Sequence, residues 1–267
     1  MILTMILIWI WTKKLNRMQG RIKEKGDRME LAVLGMIKIG MKNDKGYPVS
    51  LDHFLCKSDI KKYEQKFQEV MGEKPNVIEI CFASDDPREC CNERYELRDK
   101  DGKLFCESDG ESYTTHKDGE KTMYLTEWIV ENYGDRDTFE KKLVERSGSK
   151  SGFKRKLTLT FLIPKLKGLI GVWKLSTYAD KSSIDQIIGT FDNILRVAGR
   201  VNMIPFDLSV KKQKRQSHGQ SVIYSTISLI CNATFENIAM LSEYAGDKFE
   251  LLTDDKIKQL KEGKHEN

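Results

Sequence analysis

Acidic side chains gather in residues 85–111, a stretch with ten Asp and Glu against five Lys and Arg. Closely spaced carboxylates are the ligands that hard divalent cations take, so the stretch raises the hypothesis of a metal-dependent hydrolase. Asp is also a turn former before Gly or Pro, and three of these clusters stand where a hairpin requires a turn. Turn formation is therefore the favoured interpretation of the five candidate ligands, which are Asp85, Asp86, Asp99, Asp101 and Asp109.

Six cysteines, at positions 56, 81, 90, 91, 106 and 231, offer a second metal chemistry. The spacing argues against zinc, because no Cys-x-x-Cys pair occurs and adjacent cysteines cannot easily ligate one tetrahedral ion. We therefore expect reduced thiols and a cytoplasmic protein with no metal and no cofactor. The residues that a zinc site would use are Cys81, Cys90, Cys91, Cys106 and His116.

The motifs that identify common enzyme classes are missing from the sequence. It has no phosphate-binding Gly-rich loop, no dinucleotide fingerprint after a strand, no Gly-x-Ser-x-Gly and no His-Glu-x-x-His. The four His are scattered, and nothing in the sequence pairs one with a nucleophilic Cys. The sequence therefore predicts a protein that is not an enzyme and has no small-molecule substrate.

Basic side chains cluster in the second half, where residues 150–168 hold six Lys and Arg and no acid. With Trp173 and Tyr178 nearby, a sheet surface that binds nucleic acid is one interpretation. The favoured interpretation is a solvated sheet edge, since Lys on edge strands prevents association between sheets. The residues that charge placement nominates for contact with a partner or DNA are Lys165, Lys167, Lys211, Lys212 and Arg215.

Strands are the main elements that would position these residues. The patterns predict strands over 31–41, 49–56, 77–83, 154–163, 169–178, 205–212 and 222–231, and hairpins around the turns at 99–102, 109–110 and 117–119. They predict helices that begin at Ser58, at a capping box of Asp137 and Glu140, and at Ser183. The Ser183 helix has Ile, Leu, Phe and Ala at a 3.6-residue period and ends at Gly199. The fold class expected is α+β, with mostly antiparallel sheets in two lobes and a few packing helices.

The best linker in the chain is Ser147–Gly152, and it sets the predicted domain boundary. We expect an N-terminal α+β lobe over 29–147 and a C-terminal β-β-α-β-β lobe over 152–232. Residues 233–267 are predicted to be helical and then frayed.

The first 28 residues differ from the remainder, because seven Lys and Arg against two acids give them the whole +5 net charge. Residues 1–11 are apolar except Thr4, but they are too short for a membrane span and lack the layout of a signal peptide. The codons for 24–28 can form a ribosome-binding site before Met29. We therefore expect 1–28 to be a non-native leader or a mis-called start, with an interfacial anchor and a packed segment as alternatives, and no membrane partner. Residues 29–267 then carry no net charge.

Five segments resemble a family of phages and mobile elements called recombination-directionality-factor-like. They are LGMIKIG (34–40), GEKP (72–75), SDDPRECCNERYELRDKDGKLFCESDG (84–110), LTLTFLIPKLKGLIGVWKLST (157–177) and TFDNILRVAGRVNMIPFDLSV (190–210). The resemblance spans about residues 31–230 and rests on strand and turn residues, with no catalytic signature. It begins just after Met29, in agreement with a start there.

The resemblance implies a non-enzymatic accessory factor of site-specific recombination. Such factors bind a large serine integrase on its DNA attachment sites and favour prophage excision over integration, while the integrase supplies the nucleophile. The resemblance assigns no functional residue. Two alternatives remain from the residues themselves: a DNA-binding protein that uses the basic second half, with weak direct DNA contact, and a metal-dependent hydrolase that uses the acidic first half.

Overall fold

The computed structural model describes residues 31–117, 119–178, 181–217, 220–234 and 236–237. Five helices lie in these ranges: α1 (Lys61–Met71), α2 (Pro87–Cys90), α3 (Thr126–Tyr133), α4 (Arg136–Ser147) and α5 (Lys181–Ala198). The strands described are β1 (Val33–Lys42), β2 (Pro48–Lys57), β3 (Val77–Cys81), β4 (Cys91–Arg98), β5 (Leu104–Ser108), β6 (Ser112–Lys117), β7 (Glu120–Leu125), β8 (Lys154–Phe161), β9 (Val172–Thr177), β10 (Pro205–Ser217) and β11 (Gln220–Cys231).

Eight strands form one large sheet in the order β2-β1-β9-β8-β4-β5-β6-β7. Its neighbours are antiparallel except β1 and β9, which run parallel with Met36 opposite Lys174. The other three strands form a small antiparallel sheet in the order β11-β10-β3. The predicted α+β class with mostly antiparallel sheets is confirmed.

The main core lies between one face of the large sheet, the small sheet and helices α1 and α5. It contains Trp173 of β9, which packs on Phe67 of α1, and Phe82, which packs edge-on against Phe191 of α5 and Phe206 of β10. A second core sits under α3 and α4, where Tyr124, Tyr133 and Phe139 are among the rings in contact. Every residue of that second core comes from the β4–β8 part of the chain.

The predicted strands and hairpins of the first half are present with small changes in their limits. The apolar stripe of α5 is also present: Ile184, Ile187, Phe191 and Ala198 are buried. β10 and β11 are longer than the predicted 205–212 and 222–231, since their ladder continues to Ser217 opposite Gln220. Prediction from hydrophobic alternation stopped too early there because that end of the ribbon is polar.

Three predicted helix starts differ from the structure. Helix α5 begins at Lys181, two residues before the predicted Ser183. Helix α1 begins at Lys61 after Ile60, and the Ser58 hydroxyl instead donates to the carbonyl of Leu34. Helix α4 is capped by Asp135, whose carboxylate accepts the N–H of Thr138, so Asp137 lies inside the first turn. A side chain caps a helix from a residue whose own backbone is extended, as Asp135 is, and the sequence alone did not show which residue that would be.

Strands from both sides of the predicted boundary at 147–152 pair with one another, because β9 lies beside β1 and β8 beside β4. A division into two lobes there would separate paired strands of the large sheet. The element order after the boundary is β8-β9-α5-β10-β11, which is the predicted β-β-α-β-β sequence. The leader at 1–28 and nearly all of the tail from 233 onward lie outside the described residues.

Within the ranges that the structure describes, no helix is long and apolar enough to cross a membrane.

Candidate partner-binding surfaces

Lys165 and Lys167 lie exposed in the connection between β8 and β9, residues 162–171. Leu162 ties this loop to β3, since its N–H and carbonyl both bond to the backbone of Cys81 at 2.8 and 3.1 Å. Leu166 is buried in the main core and anchors the middle of the loop. Ile170 is 86% exposed, the highest fraction among the large hydrophobic side chains described. The loop therefore presents an apolar side chain beside two free ammonium groups.

Lys211 and Lys212 lie exposed on β10, where the small sheet narrows to a two-stranded ribbon. The third strand, β3, ends its pairing opposite Ser209, while β10 and β11 stay paired to Ser217. Beside the ribbon, the hydrogen bond from His53 lowers the pKa of Asp52, and the charge of Lys212 adds to that effect. The side chain of Arg215 lies outside the described residues, although its backbone pairs with Val222.

The two nominated groups do not lie together. Pro205 of β10 is opposite Cys81, the residue that holds the β8–β9 loop through Leu162. Lys211 is six residues further along β10, which is about 20 Å at the rise of an antiparallel strand. The lysines of the loop and those of the ribbon therefore form separate surfaces.

Trp173 is not available for stacking on a base. Its ring is 1% exposed and packs in the main core, because Trp173 points inward on β9. Tyr178 is 46% exposed, and its hydroxyl donates to Glu96 at 2.6 Å. The proposed pairing of both aromatic residues with the basic cluster is thus wrong for Trp173.

Glu96 is the centre of a polar network on the outer face of the large sheet. Its carboxylate, 6% exposed, accepts from Lys156 at 2.7 Å, from Arg98 at 2.9 Å and from Tyr178. Burial alone would raise the pKa of Glu96, but the hydrogen bonds from Lys156 and Tyr178 outweigh it and the pKa is lowered. Burial and the bond to Glu96 raise the pKa of Tyr178. The network is a fully partnered ion cluster, which favours a structural role for Glu96.

Four of the five acidic residues proposed as metal ligands accept hydrogen bonds from backbone N–H groups. Asp85 accepts the N–H groups of Val201 and Asn202, both at 2.7 Å, and so joins two distant segments. Asp86 caps α2 and binds the guanidinium of Arg88. Asp99 and Asp109 accept turn N–H groups two to four residues ahead, and Asp101 lies exposed in the first of these turns.

The proposed zinc ligands are separated by the fold. Cys90 and Cys91 belong to the main core, whereas Cys106 belongs to the second core. All six cysteines are free thiols. Burial raises the pKa of Cys81 and of Cys106 to about 12, so neither is a ready thiolate at neutral pH. Among the residues described, no three His, Cys, Asp or Glu side chains are grouped to hold a metal ion.

Sequence reasoning missed the contribution of Gln186 to this architecture. Its amide nitrogen donates to the carbonyl of Leu229 at 2.7 Å, and its amide oxygen accepts the N–H of Leu229 at 2.9 Å. The side chain thus takes the place of a further strand beside β11. No local signal in the sequence predicts this pairing, because it joins residues 43 positions apart.

The comparisons with known proteins give one match. The family model described as Gp3-like, recombination directionality factor-like, matches residues 34–232. No curated protein and no solved structure is significantly similar to the chain. The match covers β1 to the end of β11 and includes the loop, the ribbon and the large sheet. The chain therefore belongs to the recombination directionality factor-like family.

Proposed function

We propose that this protein is a non-enzymatic accessory factor of phage-type site-specific recombination, which binds a serine integrase on its DNA attachment sites and favours excision over integration. The observation that carries the proposal is the family match over residues 34–232. The proposed site of action is the cytoplasm, where integrase and DNA are present. In this proposal the integrase performs all bond breaking, and the accessory factor changes which pairs of sites are brought together.

We place the integrase contact at the β8–β9 loop. An exposed apolar residue beside charged residues is typical of an interface anchor with a polar rim. Ile170 would be the anchor, with Lys165 and Lys167 at its rim, and Leu166 holds the loop in shape from the core. The ribbon residues Lys211, Lys212 and Arg215 form a second, separate contact in this proposal.

An in-vitro recombination assay with the integrase encoded in the same mobile element tests the function. Adding the protein is expected to raise excision and to inhibit integration. No change in either reaction would overturn the proposal, whatever the protein binds by itself.

Binding of the purified integrase tests the loop separately. Ile170→Asp should weaken binding about 30-fold if Ile170 contributes the roughly 2 kcal/mol of a hot spot. Lys165→Gln with Lys167→Gln should weaken binding less, because rim charges are worth less than a buried anchor. The control is Val197→Asp, which places the same charge on another exposed apolar residue, 52% exposed on α5. Equal effects of Ile170→Asp and Val197→Asp would refute the loop as the contact.

Metal-dependent hydrolysis has weaker support. Asp85 already accepts two backbone N–H groups, and Asp86 is bound to Arg88 and the start of α2. Both carboxylates therefore already have a structural role, and among the described residues no third His, Cys, Asp or Glu is grouped with them to hold a metal.

A further inference from the structure

The outer face of the large sheet is strongly basic although the body of the protein is neutral. Residues opposite one another on neighbouring strands share a face, and side chains alternate along each strand. Lys57, Met36, Lys174 and Thr160 are therefore one row across β2, β1, β9 and β8. Lys38 lies two residues beyond Met36, in the next row of the same face.

The same face continues onto β4. Lys156 is opposite Arg94, and Lys154 is opposite Glu96. From β2 to β5 this face carries seven basic residues and two acids, Glu96 and the Glu107 that lies opposite it on β5. The basic residues are Lys38, Lys57, Arg94, Arg98, Lys154, Lys156 and Lys174.

The side chains on the other face of the sheet show that this face is the outer one. Ile37, Leu157 and Leu159 alternate with these residues and are buried in the main core. Lys38, Lys57 and Lys154 are exposed, and the small residues Thr158 and Ser176 between them are half-buried. The exposure of these three lysines shows that solvent reaches the outer face from β2 to β8.

Four of the lysines are free of ion pairs within the described part of the chain: Lys38, Lys57, Lys154 and Lys174. Arg94, Arg98 and Lys156 are bound to Glu107 and Glu96. Residues 29–267 carry no net charge, so the positive field here is balanced elsewhere on the body. A local field of this kind attracts anionic partners even when the net charge is zero.

We propose that this outer face binds the phosphate backbone of duplex DNA without reading its sequence. Lys, Ser and Thr side chains are typical phosphate contacts, and Thr158 and Ser176 lie between the free lysines. Four strand spacings separate β2 from β4, about 19 Å, and a duplex carries about eleven phosphates over that length with both strands counted. This inference rests on the charges of the sheet and holds whether or not the protein binds an integrase.

Two other occupants fit the face less well. A protein interface needs an apolar core and is depleted in Lys, whereas the apolar side chains here are Met36 and Leu55, both half-buried. Single-stranded nucleic acid needs aromatic platforms for its bases, and the ring of Tyr178 on this face already has the Lys156 ammonium over it, 5.8 Å from its centroid. Flat polar rows of ammonium and hydroxyl groups suit a duplex backbone best.

The test is the salt dependence of binding to a labelled 30-base-pair duplex of arbitrary sequence, with the full chain. The face variant is K38Q/K57Q/K154Q/K174Q. Its control, K61Q/K62Q/K100Q/K150Q, removes the same charge from exposed lysines elsewhere. Each phosphate contact contributes about −0.9 to the slope of log K against log salt, so the face variant should lose up to about 3.6 from the slope. When the salt concentration rises from 50 to 200 mM, the wild type should therefore lose up to about 150-fold more affinity for the duplex than the face variant does.

Several results would overturn the proposal. One is no duplex binding by the wild type at 50 mM salt, and another is a slope that the face variant and the control change equally. Because all these proteins keep residues 1–28, the basic leader cannot create a difference between them. Tighter binding to a single strand than to the duplex would also overturn it. So would a face variant that loses affinity for the free integrase and keeps its affinity for DNA, since the face would then be a protein interface.

Circular dichroism and a thermal melt check the folding of each variant. If the quadruple variant does not fold, the pairs K38Q/K57Q and K154Q/K174Q replace it. Each pair should then remove up to about 1.8 from the slope. An unchanged slope in both folded pairs refutes the proposal.

Discussion

Glu96→Gln tests whether the ion cluster on the outer sheet face stabilises the fold. Gln keeps the shape of Glu96 but removes the charge that Lys156 and Arg98 neutralise. Its amide also places a donor where those two side chains already donate. Breaking a buried ion pair by removing one partner costs about 3–5 kcal/mol. Since the Lys156 and Arg98 side chains are 22% and 44% exposed, water can solvate them in part, and we expect a smaller loss of about 2–3 kcal/mol at pH 7.

The pH dependence of that loss has a definite sign. The pKa of Glu96 is lowered in the folded protein, so the folded state binds the proton less readily than the unfolded state. The stability that Glu96 contributes is therefore fully present above the pKa of the unfolded state, near the ordinary value of 4.5. It is lost as the pH falls through the lower pKa of Glu96 in the folded state. Gln does not titrate. The gap between wild type and Glu96→Gln should be constant from pH 8 to about pH 5.5 and should narrow below about pH 4.5.

Urea unfolding at pH 7.0, 5.5, 4.5 and 3.5 measures the gap, and each kcal/mol should lower Tm by about 2–4 °C for a chain of this size. Glu69→Gln is the control, because Glu69 lies exposed on α1 and has no partner among the described residues. It should change stability by less than about 0.5 kcal/mol. A gap below that value at pH 7, or a gap that widens between pH 5.5 and 3.5, would refute the reasoning.

Three further outcomes are expected. Gly35→Ala should destabilise the fold by about 1–3 kcal/mol in urea unfolding, because a Cβ there would lie 2.6 Å from the carbonyl oxygen of Lys57. Gly189→Ala should stabilise the fold by about 0.5–1 kcal/mol, because a Cβ on this glycine of helix α5 would meet open space. Equal effects of the two variants would contradict the packing. Gln186→Leu should cost about 1–3 kcal/mol and speed hydrogen exchange at the Leu229 amide, since both backbone groups lose their partner, and unchanged exchange would contradict that bond. A thiol reagent at pH 8 should leave the core cysteines unmodified for as long as the protein stays folded, because burial raises their pKa and blocks access of the reagent. Rapid labelling, detected by mass spectrometry, would contradict this. The cysteines concerned are Cys56, Cys81, Cys90, Cys91 and Cys106.

Local pattern was enough to predict the elements, and long-range pairing was not. The alternation in residues 154–163 predicts a strand, and the 3.6-residue period after Ser183 predicts helix α5. The parallel pairing of β1 with β9 joins residues that are about 140 positions apart in the chain, and no turn or spacing specifies it. Asp85 illustrates the same limit, because the residues that donate N–H groups to it, Val201 and Asn202, lie more than 110 residues further along the chain.

The candidate surface also depended on information that runs of charge do not contain. Lys154, Arg155 and Lys156 form one basic run in sequence, yet strand alternation divides them. Lys154 and Lys156 lie on the outer face, whereas Arg155 points inward to bind Glu93 and Asp185. The outer face instead draws its basic residues from five strands, each of which supplies one or two. A cluster assembled in this way can be found only after the register is known.

Separation of the surfaces gives the two proposals distinct consequences. The β8–β9 loop presents one apolar anchor, and the outer sheet face presents charge with little apolar area. A protein partner that is bound to DNA and also contacts the loop would hold the duplex close to the outer sheet face. Even weak phosphate contacts would then form at a high effective concentration of DNA. Ile170→Asp should then reduce binding to the integrase with or without DNA. The lysine variant of the face should leave binding to the free integrase unchanged and should weaken binding to the integrase–DNA complex at low salt. The charge on the sheet thus predicts a step that weakens steeply with salt, and the apolar side chain on the loop predicts a step that depends much less on salt.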